Sequence, residues 1–302
     1  GSMQRIILVD ITFHYDNPYA PVFDDLSLAI DTSWRTALTG PNGRGKTTVL
    51  RLLAGELQPV RGTISMPLRT SSFPYQPVTP DAATLDVITE CVAPFREWER
   101  TMEQMLDAAD EASLLRYGDI LEQYEREGGY DIEARIERET ADIGLDAEVL
   151  HRPFSSLSGG QQTRALIVAL FLKADIFPLL DEPTNHLDMQ GRALLGEYLA
   201  RKPGFILVSH DRALLDRCAN HIVAINRNDV RVMQGSFSQW KEQMELEEEH
   251  ERRRTANLQR EIHALEEAAQ QRRNWSFKKE GSYDEAREEQ GKVDKGFVGR
   301  RA

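Results

Sequence analysis

The sequence predicts an α/β fold with a mostly parallel central sheet. Two unbroken apolar stretches, residues 176–180 and 205–208, indicate buried strands, and helical stretches near 190–201 and 211–217 accompany them. This alternation of apolar strands and helices is typical of parallel sheets that are covered on both faces. A glycine-rich loop at residues 40–48 adds a place where such a fold commonly binds phosphate.

The glycine-rich loop fits the phosphate-loop pattern G-x-x-x-x-G-K-[ST] at every fixed position. Residues 35–39 before it are β-prone, and residues 48–54 after it carry apolar side chains at helical spacing. Glycines allow successive backbone N–H groups to turn towards one anion, and the positive end of the next helix points to the same place. Lys46 adds charge for the β- and γ-phosphates, and the Thr47 hydroxyl can bind Mg2+. The loop predicts a nucleoside triphosphate site formed by Gly40, Asn42, Gly43, Gly45, Lys46, Thr47 and Thr48.

The other elements follow from local patterns. Strands are predicted at residues 6–15, 22–30, 62–66 and 71–76, a closing hairpin at 222–233, and an apolar helix from Gly159. Charged, alanine- and leucine-rich stretches between about 84 and 156 indicate a helical subdomain. Pro178 removes a backbone donor from its strand, so we expect it at a sheet edge or beside a loop.

Residues 240–302 are predicted to be an appendage. Up to about residue 279 the composition is almost entirely helix-forming, and Gly281 and the region 291–299 are expected to break the helix. A narrow apolar stripe is formed by Leu258, Ile262, Leu265 and Ala269. Such a stripe can hold a helix against one partner helix but cannot build a core. We expect a domain at 3–239 and a charged helical segment at 240–302 that belongs to a longer chain.

Composition excludes several classes of protein. The net charge of −12 argues against nucleic-acid binding by bulk electrostatics, while leaving room for a local basic surface. Cys91 and Cys218 have no metal or redox spacing, which excludes a cysteine-held cluster and suits a reducing compartment. No window approaches the roughly 18 apolar residues of a membrane span, and no signal-peptide pattern is present. We expect a cytoplasmic protein that does not enter a membrane.

Two acids end the apolar strand at 176–180. At the carboxyl end of a parallel strand, Asp181 can face Mg2+ beside the phosphate loop. Glu182 is then placed to polarise a water for attack on the γ-phosphate. The alternative interpretation is an acidic pair that starts a helix before Pro183. Pairing with the phosphate loop favours the functional interpretation.

Residues 157–161, Leu-Ser-Gly-Gly-Gln, form a second candidate anion site. A serine hydroxyl, free N–H groups and a helix dipole meet there, without a lysine. The alternative is a plain helix cap, which the Ser-Gly-Gly pattern alone favours. Its position shortly before Asp181 shifts the interpretation towards function.

Together these motifs resemble those of ABC-type ATPases in kind and in order, over residues 3–240. The motifs are the phosphate loop, Gln76 after a strand, residues 157–161, the acids at 181–182, and His210 after a strand. The resemblance implies an ABC-type nucleotide-binding domain, which combines a phosphate-loop parallel sheet, an antiparallel β subdomain and a helical subdomain. Here a long C-terminal helical extension would follow. ATP would be the substrate, with Mg2+.

The same resemblance implies roles for single residues. Tyr15 would stack on adenine, Gln76 would contact Mg2+ and the attacking water, His210 would bond the γ-phosphate, and Asp188 would lie at the seam of a dimer. Four residues would act on ATP held by a partner domain: Ser158, Gly159, Gly160 and Gln161. Each role has an alternative. Tyr15 could be an aromatic at the edge of the core, with Tyr19 as its rival, Gln76 a strand-end polar residue, and His210 a loop histidine with satisfied hydrogen bonds.

Residues 181–188, Asp-Glu-Pro-Thr-Asn-His-Leu-Asp, resemble the ABC-F class rather than transporter subunits. Residues 209–212 also resemble that class. ABC-F proteins contain two ATPase domains joined by a long charged two-helix linker, and they act on the ribosome. Residues 240–302 resemble the first linker helix, and 273–276 with 294–299 are similar to linkers of the antibiotic-resistance, ribosome-protecting branch. The resemblance implies a second ATPase domain, and a role in translation regulation or in ribosome-protective resistance. Alone, the fragment would hydrolyse ATP slowly and pair with itself as a homodimer.

Two other classes compete with this interpretation. An ATPase subunit of a membrane ABC transporter would need a membrane partner, and the charged tail and Asn185-His186 count against it. In chromosome- or repair-type ABC ATPases a coiled coil interrupts the ATPase domain, whereas here the long helix follows it.

The tail offers contacts to ribosomal RNA that the acidic body does not. Basic residues at 252–254, 272–273, 278–279 and 300–301 could bind phosphates, and Trp275 and Phe277 could stack on bases. The alternative is an ordinary solvated helix whose Glu and Arg side chains pair at i,i+4. The sequence leaves both interpretations open.

Overall fold

The computed structural model describes residues 4–41 and 43–298. Within them the strands are β1 (Arg5–Tyr15), β2 (Ala20–Asp31), β3 (Arg35–Thr39), β4 (Arg61–Ser65), β5 (Arg69–Phe73), β6 (Ile176–Asp181), β7 (Phe205–Val208), β8 (His221–Ile225) and β9 (Val230–Gln234). The α-helices are α1 (Gly43–Leu53), α2 (Thr84–Val92), α3 (Phe95–Ala108), α4 (Glu111–Arg126), α5 (Ile132–Asp142), α6 (Gly159–Leu172), α7 (Met189–Ala200), α8 (Arg212–Cys218) and α9 (Phe237–Val298). One compact unit ends at Trp240, and a second begins at Lys241.

A six-stranded sheet in the order β5-β6-β7-β3-β8-β9 confirms the predicted parallel core. Neighbouring strands run parallel from β5 to β8, and β9 returns antiparallel to β8 as the predicted hairpin. Pro178 lies in β6, which is the second strand and not the edge. It pairs with Ser71 of β5, while pairing with β7 begins only at Leu179. The ladder towards β7 therefore starts after the residue that lacks a donor.

The two faces of this sheet support two apolar clusters, because successive strand residues point to opposite sides. In β7, Phe205 and Leu207 pack into one cluster, while Ile206 and Val208 pack into the other. The first cluster includes most of α6, whose residues from Ala165 to Leu170 are all buried, as the apolar run predicted. Parallel strands that are buried on both faces explain the unbroken apolar runs in the sequence.

A three-stranded antiparallel sheet in the order β2-β1-β4 covers the second cluster. Its strands match the strands predicted at 6–15, 22–30 and 62–66. The β1–β2 register is irregular between Leu8 and His14, and Asp10 and Asp25 have positive φ angles of 52° and 51°. Such bulges bend a strand and re-aim its side chains. Ile6, opposite Ile30, is fully buried at the regular end of the pair.

Helix α9 is continuous to Val298, so the predicted breaks at Gly281 and at 291–298 are wrong; residue 299 lies outside the described residues. A Cβ at Gly281 or Gly291 would meet nothing within 4 Å, so neither glycine marks a close approach. A single helical glycine costs only about 1 kcal/mol relative to alanine, which a long helix can absorb. Among the described residues, no helix combines the length and the apolar character that a membrane span requires.

Candidate functional site

The predicted phosphate loop connects β3 to α1, and α1 already begins at Gly43, earlier than the sequence indicated. Gly40 lies against the neighbouring strand: a Cβ at this position would be 2.2 Å from the Ile225 carbonyl oxygen. Only glycine fits there without moving β8. Asn42 lies outside the described residues, and Gly45 follows in the first turn of α1.

Lys46 is 8% exposed, and its Nζ donates a hydrogen bond to the Gly40 carbonyl oxygen at 3.3 Å. Its amine therefore lies over the loop whose backbone N–H groups are predicted to bind phosphate. A buried ammonium with a neutral acceptor is a strong attractor for an anion, since charge-assisted hydrogen bonds are about twice as strong.

Thr47 and Asp181 meet at the carboxyl end of β6. The Thr47 hydroxyl donates to Oδ2 of Asp181 at 3.1 Å. No cluster of three His, Cys, Asp or Glu side chains that could hold a metal occurs in the described residues. One hydroxyl and one carboxylate fit Mg2+ better than a metal held in a protein cage, because Mg2+ keeps water and phosphate oxygens as its other ligands.

Glu182 and His210 follow the ends of two adjacent strands, β6 and β7, and come together. Nε2 of His210 lies 3.1 Å from Oε1 of Glu182. The His210 side chain is 79% exposed and that of Glu182 is 24% exposed. Glu182 has a φ of 49°, in the left-handed region that non-glycine residues avoid, and its N–H donates to the Val208 carbonyl at 2.8 Å. Such strain of about 1–3 kcal/mol is typical of functional positions.

Gln76 lies three residues beyond β5 and is exposed. Sequence reasoning did not single out its neighbour Tyr75, whose hydroxyl donates to the Leu166 carbonyl in α6 at 2.6 Å. Burial raises the pKa of the Tyr75 hydroxyl well above its usual range. The Tyr75 contact anchors the segment that carries Gln76 to the helix that follows residues 157–158. No local sequence signal marks it, because the two residues are far apart in the chain.

Tyr15 lies beside the phosphate loop, and its hydroxyl and that of Thr48 are 2.8 Å apart. Its ring packs edge-on against Phe13, with 4.9 Å between centroids, at the border of the second apolar cluster. Its rival Tyr19 is exposed and contacts His14. The geometry brings Tyr15 to the site, and its stacking on adenine stays a prediction.

Residues 158–161 form the N-terminal cap of α6. Ser158 Oγ accepts the Gln161 N–H at 3.2 Å, and Gln161 Oε1 accepts the Ser158 N–H at 3.1 Å. This capping box corresponds to the alternative interpretation of the motif and satisfies two donors locally. The two glycines pack on His186: a Cβ at Gly159 would lie 3.2 Å from its Cβ, and one at Gly160 would lie 3.0 Å from its carbonyl oxygen. The role of these residues towards a partner nucleotide stays a prediction.

Asp188 caps α7, with Oδ1 accepting the Gly191 N–H at 2.7 Å. Arg164 of α6 is a neighbour that sequence reasoning missed. Nη1 of Arg164 donates to the carbonyls of Ile143 and Gly144, each at 3.1 Å. Burial lowers the pKa of its guanidinium, and the charge of Asp188 opposes that shift. Arg164 therefore links α6 to the two residues that follow α5.

Comparisons with known proteins agree with this geometry. A family model described as ABC transporter matches residues 23–185. Tylosin resistance ATP-binding protein TlrC of Streptomyces fradiae is 34% identical over 75% of this chain and 43% of that protein. ABC transporter F family member 4 of Arabidopsis thaliana is 29% identical over 80% of this chain and 30% of that protein. Energy-dependent translational throttle protein EttA of Mycobacterium tuberculosis is 28% identical over 80% of this chain and 44% of that protein.

The chain therefore spans less than half the length of each of these relatives. Among solved structures, an ATP binding subunit of an ABC transporter superposes with a TM-score of 0.55 at 22% identity, over 80% of this chain and 94% of that one. This likeness supports the fold. Because the family model spans more than half of its 302 residues, the chain belongs to the ABC transporter family, and its relatives include members of sub-family F.

Proposed function

We propose that this chain is the ATP-binding and ATP-hydrolysing part of an ABC-F protein that acts on the ribosome. The catalytic part of this proposal rests on two side-chain contacts at the carboxyl ends of β6 and β7. The Thr47 hydroxyl bonds to Asp181, and His210 lies beside Glu182. Residues 3–239 would form the ATPase domain, with residues 84–156 as its helical subdomain. Mg-ATP would be the substrate.

The phosphate loop supplies binding in this proposal. Lys46 exchanges the neutral Gly40 carbonyl for a phosphate oxygen, which strengthens its hydrogen bond. Thr47 and Asp181 would hold Mg2+, which neutralises charge on the β- and γ-phosphates when it is bound. Tyr15, through its hydroxyl contact with Thr48, would bring its ring to the base.

Glu182 would accept the proton of the attacking water. Its Oε1 lies 3.1 Å from Nε2 of His210, a contact that would orient the carboxylate and leave Oε2 for the water. A positioned general base contributes about 10²–10⁴-fold to the rate. His210 would turn towards the γ-phosphate once nucleotide is bound, and Gln76 would approach the same water and Mg2+.

The capping residues 158–161 would complete the site of a partner domain. In the full protein that partner would be a second ATPase domain, and here it would be a second copy. Each nucleotide would then receive donors from both sides, which stabilise the charge that develops during phosphoryl transfer. One domain alone leaves the γ-phosphate open to water on one side.

Two substitutions test the catalytic part. Lys46→Ala is expected to weaken ATP binding, because the phosphates lose their charged partner. Glu182→Gln is expected to keep binding but to slow turnover on the order of a hundredfold or more. Nucleotide titration and single-turnover hydrolysis separate these effects. Equal loss of binding in both variants would contradict this division of roles.

The ribosomal part of the proposal is supported by the relatives and by the tail. The names of TlrC and EttA refer to tylosin resistance and to translation. In α9, Arg252 and Arg253 lie within 4.0 Å of glutamates one turn earlier, as a solvated helix predicts. Within the described residues no such carboxylate lies within 4.0 Å of Arg272, Arg273, Lys278 or Lys279, which favours the phosphate-binding interpretation for this second group. Trp275 lies between these basic residues, with Lys279 Nζ 4.6 Å from its ring centre.

Charge reversal tests the tail. Changing Arg272, Arg273, Lys278 and Lys279 to Glu is expected to reduce co-sedimentation with ribosomes in non-hydrolysable ATP and to flatten its salt dependence. The matched control reverses Arg252 and Arg253, whose charges are already paired. If the four-residue reversal leaves ribosome binding unchanged, the tail is an ordinary solvated helix and does not bind phosphates. Detergent-dependent capture of a membrane subunit would favour the transporter alternative instead.

A further inference from the structure

Helix α8 lies between the candidate site and the first turn of α9. His210 contacts Glu182 at 3.1 Å, and the next residue, Asp211, is the N-cap of α8. Asp211 Oδ1 accepts the Leu214 N–H at 3.0 Å. Arg212 is the first residue of α8, which is only seven residues long. The site histidine therefore lies two residues before the start of a short helix.

Two charged side chains of α8, one helical turn apart, hold Ser238 in the first turn of α9. Nε of Arg212 donates to the Ser238 hydroxyl oxygen at 3.1 Å. Asp216 accepts the Ser238 N–H at 2.6 Å and also accepts the Ser238 hydroxyl. Hydrogen bonds to charged groups are about twice as strong as those between neutral groups. We call Arg212, Asp216 and Ser238 the Ser238 clamp.

Helix α9 does not need the clamp in order to begin. Ser236 and Gln239 cap it reciprocally: Ser236 Oγ accepts the Gln239 N–H, and Gln239 Oε1 accepts the Ser236 N–H, each at 3.2 Å. This capping box satisfies two backbone donors of the helix start. Phe237 and Trp240 also pack against the first apolar cluster. Because the start of α9 has its own cap and its own apolar contacts, the clamp mainly serves to link α8 to α9.

We infer that the Ser238 clamp couples nucleotide binding to the start of α9, with Ser238 as a positioning residue that acts on the site through α8. The inference rests on the proposed function, in which His210 turns from Glu182 towards the γ-phosphate. Seven residues make only about two helical turns, so a displacement of residues 210–212 reaches both ends of α8. Such a displacement strains the hydrogen bonds to Ser238.

The coupling has a definite sign. The clamp holds residues 210–212 where His210 contacts Glu182, and therefore opposes the turn of His210 towards a phosphate. Thermodynamic linkage is reciprocal, so nucleotide binding weakens the clamp by the same factor by which the clamp weakens nucleotide binding. The occupancy of the site is thereby transmitted to the first turn of a helix that continues to Val298.

The test compares Ser238→Ala with Ser236→Ala in the whole chain. The first change removes the hydroxyl of the clamp, and the second removes the cap of α9 but leaves the clamp in place. Titration with Mg2+ and a non-hydrolysable ATP analogue gives the nucleotide dissociation constant. Ser238→Ala should lower that constant about fivefold or more, whereas Ser236→Ala should leave it within about twofold of the wild type. Ser238→Ala should not unfold α9, since alanine favours helix.

Hydrogen exchange in the first turns of α9 gives a second measurement. In the wild type the nucleotide analogue should speed exchange there, because binding weakens the clamp. In Ser238→Ala exchange should already be faster, and the analogue should add nothing. Ser238→Thr keeps the hydroxyl and should restore both the wild-type dissociation constant and the response of exchange to nucleotide.

A purely structural clamp would give a different result. Ser238→Ala would then speed exchange in α9 as Ser236→Ala does, and both variants would keep the wild-type dissociation constant. That outcome would overturn the inference and leave the ATP-binding proposal intact. A wild-type chain that does not bind the nucleotide analogue would overturn both.

Discussion

Phe205 in β7 and Phe277 in α9 are the same side chain in two environments. Phe205 is fully buried and packs edge-on against Phe171, with 6.2 Å between centroids, whereas Phe277 is 72% exposed. The unit that ends at Trp240 is held by two apolar clusters on the faces of one sheet. From residue 248 to residue 293 of α9, every residue is exposed. The first unit gains stability from burial, and the second from helix propensity and ion pairs.

The largest effect expected from this difference comes from deleting the two rings. Phe205→Ala should lower the free energy of unfolding by about 3–5 kcal/mol, since it removes a buried ring and leaves a cavity. Phe277→Ala should change it by no more than about 0.5 kcal/mol, as for other exposed positions. Urea denaturation of both variants measures the contrast. Similar losses would mean that α9 packs its rings on a partner.

The next comparison is between a mostly buried ion pair and an exposed ion pair of nearly equal length. Lys202 Nζ lies 2.5 Å from Glu139 Oε2 in the unit that ends at Trp240, and Arg253 Nη2 lies 2.6 Å from Glu249 Oε1 in α9. The first pair is mostly buried and shares its carboxylate with the Tyr198 hydroxyl at 2.6 Å. Lys202→Met should lower the free energy of unfolding by about 1.5–3 kcal/mol, as for hydrogen bonds to charged groups. Arg253→Met should lower it by about 0.5 kcal/mol or less.

The buried pair also predicts a dependence on pH. Burial tends to raise the pKa of Glu139, but the hydrogen bonds from Lys202 and Tyr198 outweigh it and hold that pKa below its ordinary value of 4.5. Stability from Glu139 is therefore present above pH 4.5 and is lost as the pH falls through the folded-state pKa. Unfolding measured from pH 6 down to about pH 3 should show less of this loss in Lys202→Met than in the wild type. Parallel profiles would assign the acid sensitivity to other carboxylates.

The smallest expected change in stability comes from replacing exposed glycines of α9 with alanine. Gly281→Ala and Gly291→Ala should each stabilise α9 by about 0.5–1 kcal/mol, because both sites have open space for a Cβ in a helix. Helical circular dichroism during thermal unfolding measures the gain. Gly118→Ala in α4 is the matched change in the unit that ends at Trp240, where the site is equally open. Gly40→Ala should instead impair folding and nucleotide binding, since its Cβ would clash with the Ile225 carbonyl.

Most of the fold could be predicted from the sequence. Parallel strands that are buried on both faces must be apolar throughout, and a phosphate loop must lie between a strand and a helix. Gly281 was misleading for a physical reason. A helix-breaking preference of about 1 kcal/mol is a weak signal within a helix as long as α9. Pro178 was expected at a sheet edge or beside a loop, because sequence alone does not reveal where pairing with each neighbouring strand begins.

The sequence names the candidate site residues one by one but does not show which of them contact each other. The sequence identifies Glu182 and His210 as separate candidates, and only the strand order β6-β7 brings them within 3.1 Å of each other. The contact of Tyr75 could not be predicted from the sequence, because its partner is a backbone carbonyl of α6 and every residue has such a carbonyl. Contacts between distant segments depend on topology, and topology is a property of the whole chain.

The left-handed backbone at Glu182 has a consequence for how this chain can change over time. A glycine there would relieve the strained φ of 49° and stabilise the fold, yet it would remove the proposed general base. Under the proposed role of Glu182, selection for stability and selection for turnover act in opposite directions at this position. A lineage that no longer needs hydrolysis would be free to accept glycine here. Under the proposed role of Glu182, we expect a related chain with glycine at this position to bind nucleotide but to cleave it slowly.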